Sequence, residues 1–312
     1  MSRFSARSLL TLLLALMLSG FGLADAEAAA SVAIVLSERS RAQLEMVDIL
    51  RKALEHGPAA ETGVVVLGWH QLGQLPRDGG LIVAVGSRAT TALASIAAPA
   101  PVLATLLPRA SFEQAVATRH GTRPFSAIYL DQPPDRQLNL LRLALPDRRR
   151  IAVLTGPGSR ALAAPLAVAA HERGQTLLNQ YVTGEALLYT ALLRGLVNAD
   201  LLLALPDPSI YNAHTFSHIL LTAYRYKVPV IGYSPASVRA GALMAMYSST
   251  AQIGAQAADI ARDVLAGRPL PPPGYPKEYS ITINTYVAQS LNLRLEAESS
   301  LLGHLRQEDR HP

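Results

Sequence analysis

The residues best suited to hold another molecule lie in ALPDPSIYN (Ala204–Asn212), after the apolar run ADLLL and before a stretch with helical spacing. Two prolines bracket Asp207, and Tyr211 and Asn212 follow closely. Rigid Pro206 and Pro208 lower the ordering cost of binding. A carboxylate here accepts hydrogen bonds from a ligand amine or hydroxyl. A phenol offers a ring face and an O–H, and an amide offers donor and acceptor together. Asp207 is also of the type that caps a following helix. The chemistry on offer is recognition. Acid–base catalysis needs a partner group, and no carboxylate pair stands out in matching positions. No serine sits in a Gly-x-Ser-x-Gly elbow, and the chain has no cysteine to act as nucleophile, thiolate ligand or lipid anchor.

Similar residues follow other apolar runs. TGPGSR (Thr155–Arg160) places Gly156 and Ser159 between a strand and a helix, where free N–H groups attract anions. The stretch lacks the lysine of a P-loop and the third glycine of a dinucleotide fingerprint, and it also fits an ordinary turn. VGSRAT supplies Ser87, an N-cap type, and Arg88; LSERS supplies Ser37 and Arg39; LLPRAS supplies Arg109. Taken singly the arginines fit a solvated surface, but as a set at one sheet edge they suit an acidic ligand group. GYSPASV adds Tyr233 and Ser234. His214 and His218 stand one helical turn apart in HTFSH, without the glutamate or third ligand of a zinc site, so neither metal nor cofactor is expected.

These positions require strands that end in one place. SVAIVL, VVVLG, LIVAVG, PVLATLL and SAIYL read as buried strands in the first part of the chain, with helical spacing in RAQLEMVDILRKALEH and RATTALASIA. After a helix over PDRQLNLLRLAL, the runs RIAVLTG, QTLLNQYV, ADLLLAL and VPVIGYS alternate with further helices. Strands apolar on both faces and alternating with helices make parallel sheets, whose ligands bind at the carboxyl ends of the strands. The fold class is therefore α/β, with two doubly wound parallel-sheet lobes. The helix TAQIGAQAADIARDVLAG, the proline-rich link RPLPPPGYP, the strand EYSITIN and the helix TYVAQSLNL follow, and the tail ESSLLGHLRQEDRHP reads as loosely ordered.

The chain is long enough for two cores, with 312 residues, 50% apolar and 16% charged. Arg3 and Arg7 precede the apolar stretch Leu9–Ala24, broken by Ser19, Gly20 and Gly22, and small-x-small patterns follow near Ala26 and Ala28. This is the grammar of a cleaved signal peptide over residues 1–26, too short and interrupted for a spanning helix. The formal charge of +5 is spread thinly, with no basic face for nucleic acid.

From Ser126 to Leu293 the sequence resembles the ABC transporter substrate-binding proteins related to tryptophan and tyrosine binders. The residues that carry the likeness are YLDQPPDRQLNLLRLALPDRRRIAVLTGPGS, NADLLLALPDPSIYN, KVPVIGYSPASVRAGALMAMYSSTAQIGAQAADIARDVLAGRPL and ITINTYVAQSLNL. The first lobe departs from that pattern around GWHQLGQLPRDGG and TLLPRASFEQ. The resemblance implies a type I periplasmic-binding fold with three crossovers, near Leu130–Asp131, near Ser248–Thr250 and in RPLPPPGYP. Lobe 1 would take residues 31–130 and 249–273, lobe 2 residues 131–248 and 274–295, and 296–312 would form the tail. It implies a periplasmic, monomeric solute-binding protein without enzymatic activity, which closes on a small amino-acid-like ligand and delivers it to an ABC transporter permease. An exported sensor or accessory protein of the same fold is the alternative, and fold alone does not choose between the two.

Overall fold

The computed structural model describes residues 31–55, 63–76 and 79–309; the segment read as a signal peptide, residues 1–26, lies outside them. Lobe 1 is built on β1 (Ser31–Leu36), β2 (Val64–Gly68), β3 (Gly79–Val85), β4 (Val102–Leu107) and β5 (Phe125–Tyr129). They pair in the order β2-β1-β3-β4-β5, all parallel. Helix α1 (Arg41–Leu54) covers one face. Helices α2 (Ser87–Ala94) and α3 (Arg109–Ala117) cover the other. The central strands are apolar on both sides because both sides are covered. β2, at the edge, is the least buried of the described strands of this sheet.

Lobe 2 repeats the plan. After α4 (Pro134–Ala144) come β6 (Arg150–Thr155), α5 (Ala163–Glu172), β7 (Thr176–Tyr181), α6 (Glu185–Val197) and β8 (Leu201–Leu203). Then follow α7 (Thr215–Arg225), β9 (Val230–Gly232), α8 (Pro235–Ala240) and β10 (Met244–Tyr247). The sheet order is β11-β10-β9-β8-β6-β7, where β11 (Ser280–Ile283) is antiparallel to β10 and the other pairs are parallel. Helix α10 (Thr285–Ser290) follows β11.

The chain passes between the lobes after β5, after β10 and before β11. After β10 it enters α9 (Thr250–Leu265), which begins in a capping box of Ser249 and Gln252 and packs on α1 in lobe 1. At the contact a Cβ on Gly254 would stand 2.9 Å from Ile49 Cδ1, so glycine lets the two helices approach. Gly254→Leu is expected to cost about 2 kcal/mol through overpacking, read as a lower urea midpoint. An unchanged midpoint would show that α1 moves aside freely.

One network ties the three crossovers together. Gln132 Nε2 donates to Ser248 Oγ at 2.9 Å, and Ser248 Oγ donates to the Glu278 carbonyl at 2.6 Å. Arg136 donates to Gln132 Oε1 at 2.9 Å and to the Pro276 carbonyl at 3.2 Å.

The tail is not loose over its described residues, which end at 309. Helix α11 (Glu298–Glu308) packs on α4 and β11, with Leu301 and Leu305 fully buried. Asp309 accepts from Arg136 Nε and from the Tyr279 hydroxyl, each at 3.0 Å, and Arg142 pairs with Glu308. Helix α3 lies between PVLATLL and SAIYL, where the spacing pointed to no helix.

Candidate functional site

A cavity of about 190 Å³ lies between the lobes, at the carboxyl ends of the strands nearest the crossovers. Lobe 1 supplies Arg109, the first residue of α3 after β4, and Leu130 and Asp131 after β5. Lobe 2 supplies Leu205 and Pro206 after β8 and Tyr233 and Ser234 after β9. Leu162 and Leu166 form an apolar wall, and Tyr275 enters from the third crossover. Strand ends collect loops from both sheets in one place, which is why ligands of parallel α/β folds bind there. The lining is mainly aliphatic and aromatic with a few polar groups, as small-molecule sites are.

Arg109 is held from both sides. Its Nε donates to Glu113 at 2.7 Å, and a terminal nitrogen donates to the Tyr275 hydroxyl at 3.1 Å. Those hydrogen bonds, Tyr275 first, raise its pKa further, so it stays a cation throughout the usable pH range. Its backbone N–H donates to the Asp131 carboxylate. Burial raises the Asp131 pKa, partly opposed by that bond. Burial also raises the Tyr233 phenol, and the nearby Asp207 charge adds to the shift. Tyr233 is therefore a neutral hydrogen-bonding wall.

Of the residues singled out from sequence, Arg109, Tyr233 and Ser234 line this cavity. The loop after β8 is arranged differently from the expectation. Asp207 is buried and its oxygens are already engaged. Oδ2 accepts from Ser159 Oγ at 2.6 Å and from the Gly156 N–H at 3.2 Å; Oδ1 accepts from Ser209 N–H at 3.0 Å and Ser209 Oγ at 2.6 Å. Burial alone would raise its pKa, but the hydroxyl and amide donors outweigh it and hold it below the usual carboxylate value. Asp207, Gly156 and Ser159 thus knit the β6 and β8 loops together behind the cavity wall. Tyr211 is core, its ring edge-on to Phe216 and Tyr233. Asn212 Oδ1 accepts from the His214 and Thr215 N–H groups, capping α7. Asn212, His214 and His218 do not line the cavity. Among the described residues no group of three His, Cys, Asp or Glu could hold a metal.

In lobe 1, Ser37 Oγ accepts the Ala89 N–H at 2.9 Å and so caps α2 from outside. Gly86 makes this possible. It sits at φ +87°, and a Cβ there would meet Ser37 Oγ at 2.7 Å. Ser87 and Arg88 are exposed at the start of α2, away from the cavity between the lobes. Ser37 and Arg39 line another cavity, at the ends of β1 and β2, together with Trp69. The sequence reading passed over Trp69. The available signal was the chain's single tryptophan, placed directly after a strand.

Two α/β lobes with parallel sheets, three crossovers and a cavity between the lobes define a type I periplasmic-binding-protein-like molecule. The profile of the family described as ABC transporter substrate binding protein matches residues 71–302, and the chain belongs to that family. No curated protein matches it. Among solved structures it is similar to a conserved domain protein from Vibrio cholerae, at 19% identity and TM-score 0.62, over 88% of this chain and 98% of that one. It is also similar to an ABC domain in complex with L-Trp from Streptococcus pneumoniae, at 15% identity and TM-score 0.61, over 88% and 97%. A ligand-free, open substrate binding protein with adhesive properties from Clostridium difficile matches at 17% identity and TM-score 0.68, over 86% and 96%. No described helix is long and apolar enough to cross a membrane.

Proposed function

We propose that the mature chain is an exported, monomeric solute-binding protein without enzymatic activity. It captures a small amino-acid-like ligand between its lobes and presents it to an ABC transporter permease. The observation that carries this is the cavity itself, which draws walls from both lobes and from the crossovers. A ligand there contacts both sheets at once, so closing the lobes adds contacts that the open state lacks. Only such differential contact drives closure. Arg109 suits a ligand carboxylate, and Leu162, Leu166 and Tyr233 suit an apolar side chain. The L-Trp complex among the similar structures is consistent with that chemistry.

The test is a thermal melt of the chain from Glu27 onward against amino acids, aromatic acids, nucleosides and small peptides. A ligand at about 100 times its dissociation constant adds roughly 2.7 kcal/mol of stability. One chemical class is expected to raise the melting temperature, and Tyr233→Ala or Arg109→Met is expected to weaken that class at least about tenfold, or ~1.4 kcal/mol. No shift across the panel would favour the sensor or accessory reading, with a protein partner in place of a transported solute.

A further inference from the structure

Trp69 follows β2 directly and is 43% exposed. The turn holds it in place. Its backbone N–H donates to the Leu36 carbonyl at 2.9 Å, which extends the β1–β2 ladder by one residue. Gln71 Oε1 accepts the Gly68 N–H at 2.8 Å, and the His70 ring stands edge-on to the indole, 5.9 Å between centroids. Between this turn and the loop after β1 opens a cavity of about 280 Å³. Arg39 lines it and makes no ion pair or hydrogen bond among the described residues. Ser37 Oγ already accepts from Ala89, so its own proton is free to donate. Glu38 lines the same cavity, is exposed, and supplies an acceptor.

The place is distinct from the cavity between the lobes. That one lies at the ends of β4 and β5, and this one at the ends of β1 and β2. In the order β2-β1-β3-β4-β5, three strand spacings separate β2 from β4, or about 14 Å. Each sheet can be counted outward from the strand that leads into a crossover, β5 in lobe 1 and β10 in lobe 2. β2 and β7 are then both the fourth strand out. The end of β7 carries Tyr181, 42% exposed, with the Arg160 guanidinium 5.0 Å from the centre of its ring. Each lobe therefore carries an exposed aromatic residue at the end of its fourth strand out.

We propose that the Trp69 cavity is a second ligand subsite, for a planar conjugated carboxylate. The ring lies against the indole, the carboxylate pairs with Arg39 and accepts from Ser37, and a ring hydroxyl or N–H donates to Glu38. A guanidinium beside a carboxylate gives charge-assisted hydrogen bonds, and the aromatic face supplies the apolar contact. The subsite does not rest on occupancy of the cavity between the lobes.

Trp69 is the only tryptophan, so tryptophan emission reports this cavity alone. The mature chain would be titrated with 4-hydroxybenzoate and, as the uncharged control, 4-hydroxybenzamide. The acid is expected to change the emission saturably, the amide to act at least tenfold more weakly, and Arg39→Gln to weaken the acid at least tenfold. Arg39 is exposed, so the variant should keep the wild-type melting temperature, which is checked in parallel. Tyr233→Ala, which removes a wall of the other cavity, is expected to leave the Trp69 response unchanged. No emission change up to about 10 mM acid, a ceiling weaker than any working binding site, would overturn the subsite. So would a response that survives Arg39→Gln. Neither result touches the reading of the cavity between the lobes, which is scored by melting shifts sensitive to Tyr233.

Discussion

Asp207→Ala is expected to lower stability by about 3 kcal/mol. The cause is not loss of a ligand contact. The carboxylate accepts from Ser159, Gly156 and Ser209, and removing it leaves the buried Ser159 hydroxyl without its acceptor and the Gly156 N–H with only Ser159 Oγ, at 3.0 Å. Asp207→Asn keeps the shape but brings an N–H₂ where only acceptors fit, so it should be destabilised nearly as much. The pH dependence follows from the lowered folded pKa of Asp207. A lowered pKa means that its stabilisation is complete above the unfolded value, about 3.9, and is lost as pH falls through the folded value. Wild type should therefore lose stability on acidification below about pH 4, and Asp207→Asn should lose less over that window. Urea midpoints at neutral and acid pH measure both effects. A near-neutral Asp207→Ala with selectively weakened ligand binding would instead make Asp207 a ligand residue.

A chain ending at Ala297, without α11, is expected to lose about 4 kcal/mol, mostly from two buried leucines. Leu301 and Leu305 have no exposed surface, and they pack in one core with residues of α4 and β11. The same cut removes Asp309, the acceptor for Arg136 and Tyr279. Arg136 also bonds Gln132 in the crossover network, so the loss reaches the crossovers. If truncation prevents folding, Leu305→Ala in the full chain gives the graded version, with a loss of about 2–5 kcal/mol. Melting temperatures that stay put in both variants would mean that α11 contributes only surface contacts.

The parallel sheets were legible because strands covered on both faces must be apolar through their middles, as β1, β3, β6 and β8 are. Helix α3 was not. It is only nine residues long and is introduced by Pro108 without a side-chain cap, so its local signal is weak. The same holds for α11, which buries only two residues, four apart, among charged neighbours. At the site, sequence placed Arg109, Tyr233 and Ser234 at strand ends, and strand ends are where the cavity forms. It could not show that Asp207 turns inward. That depends on Ser159 and Ser209 meeting it, and Ser159 lies far from it in the chain. Strand periodicity locates a loop, but the direction of a polar side chain within it is decided by which donors the tertiary fold brings near.

The return of α9 to lobe 1 has a bearing on how the chain folds as it is made. Helix α1 buries Met46, Val47, Leu50 and Leu54, and α9 supplies Ile253, Ala257, Ala258 and Ala261 against the same core. All of β6 through β10 lies between them in sequence. Lobe 1 is therefore a discontinuous folding unit, and its last layer cannot be added until the polypeptide has passed through lobe 2. Long-range closure of this kind slows folding and leaves an apolar helix face open to self-association in the interval. Lobe 2 is less interrupted, and its parallel strands β6 to β10 are complete before α9 emerges. The expected order is a structured lobe 2 first and a cooperative, late completion of lobe 1. Gly254 is the point where that final docking succeeds or stalls, because Ile49 leaves no room there for a side chain.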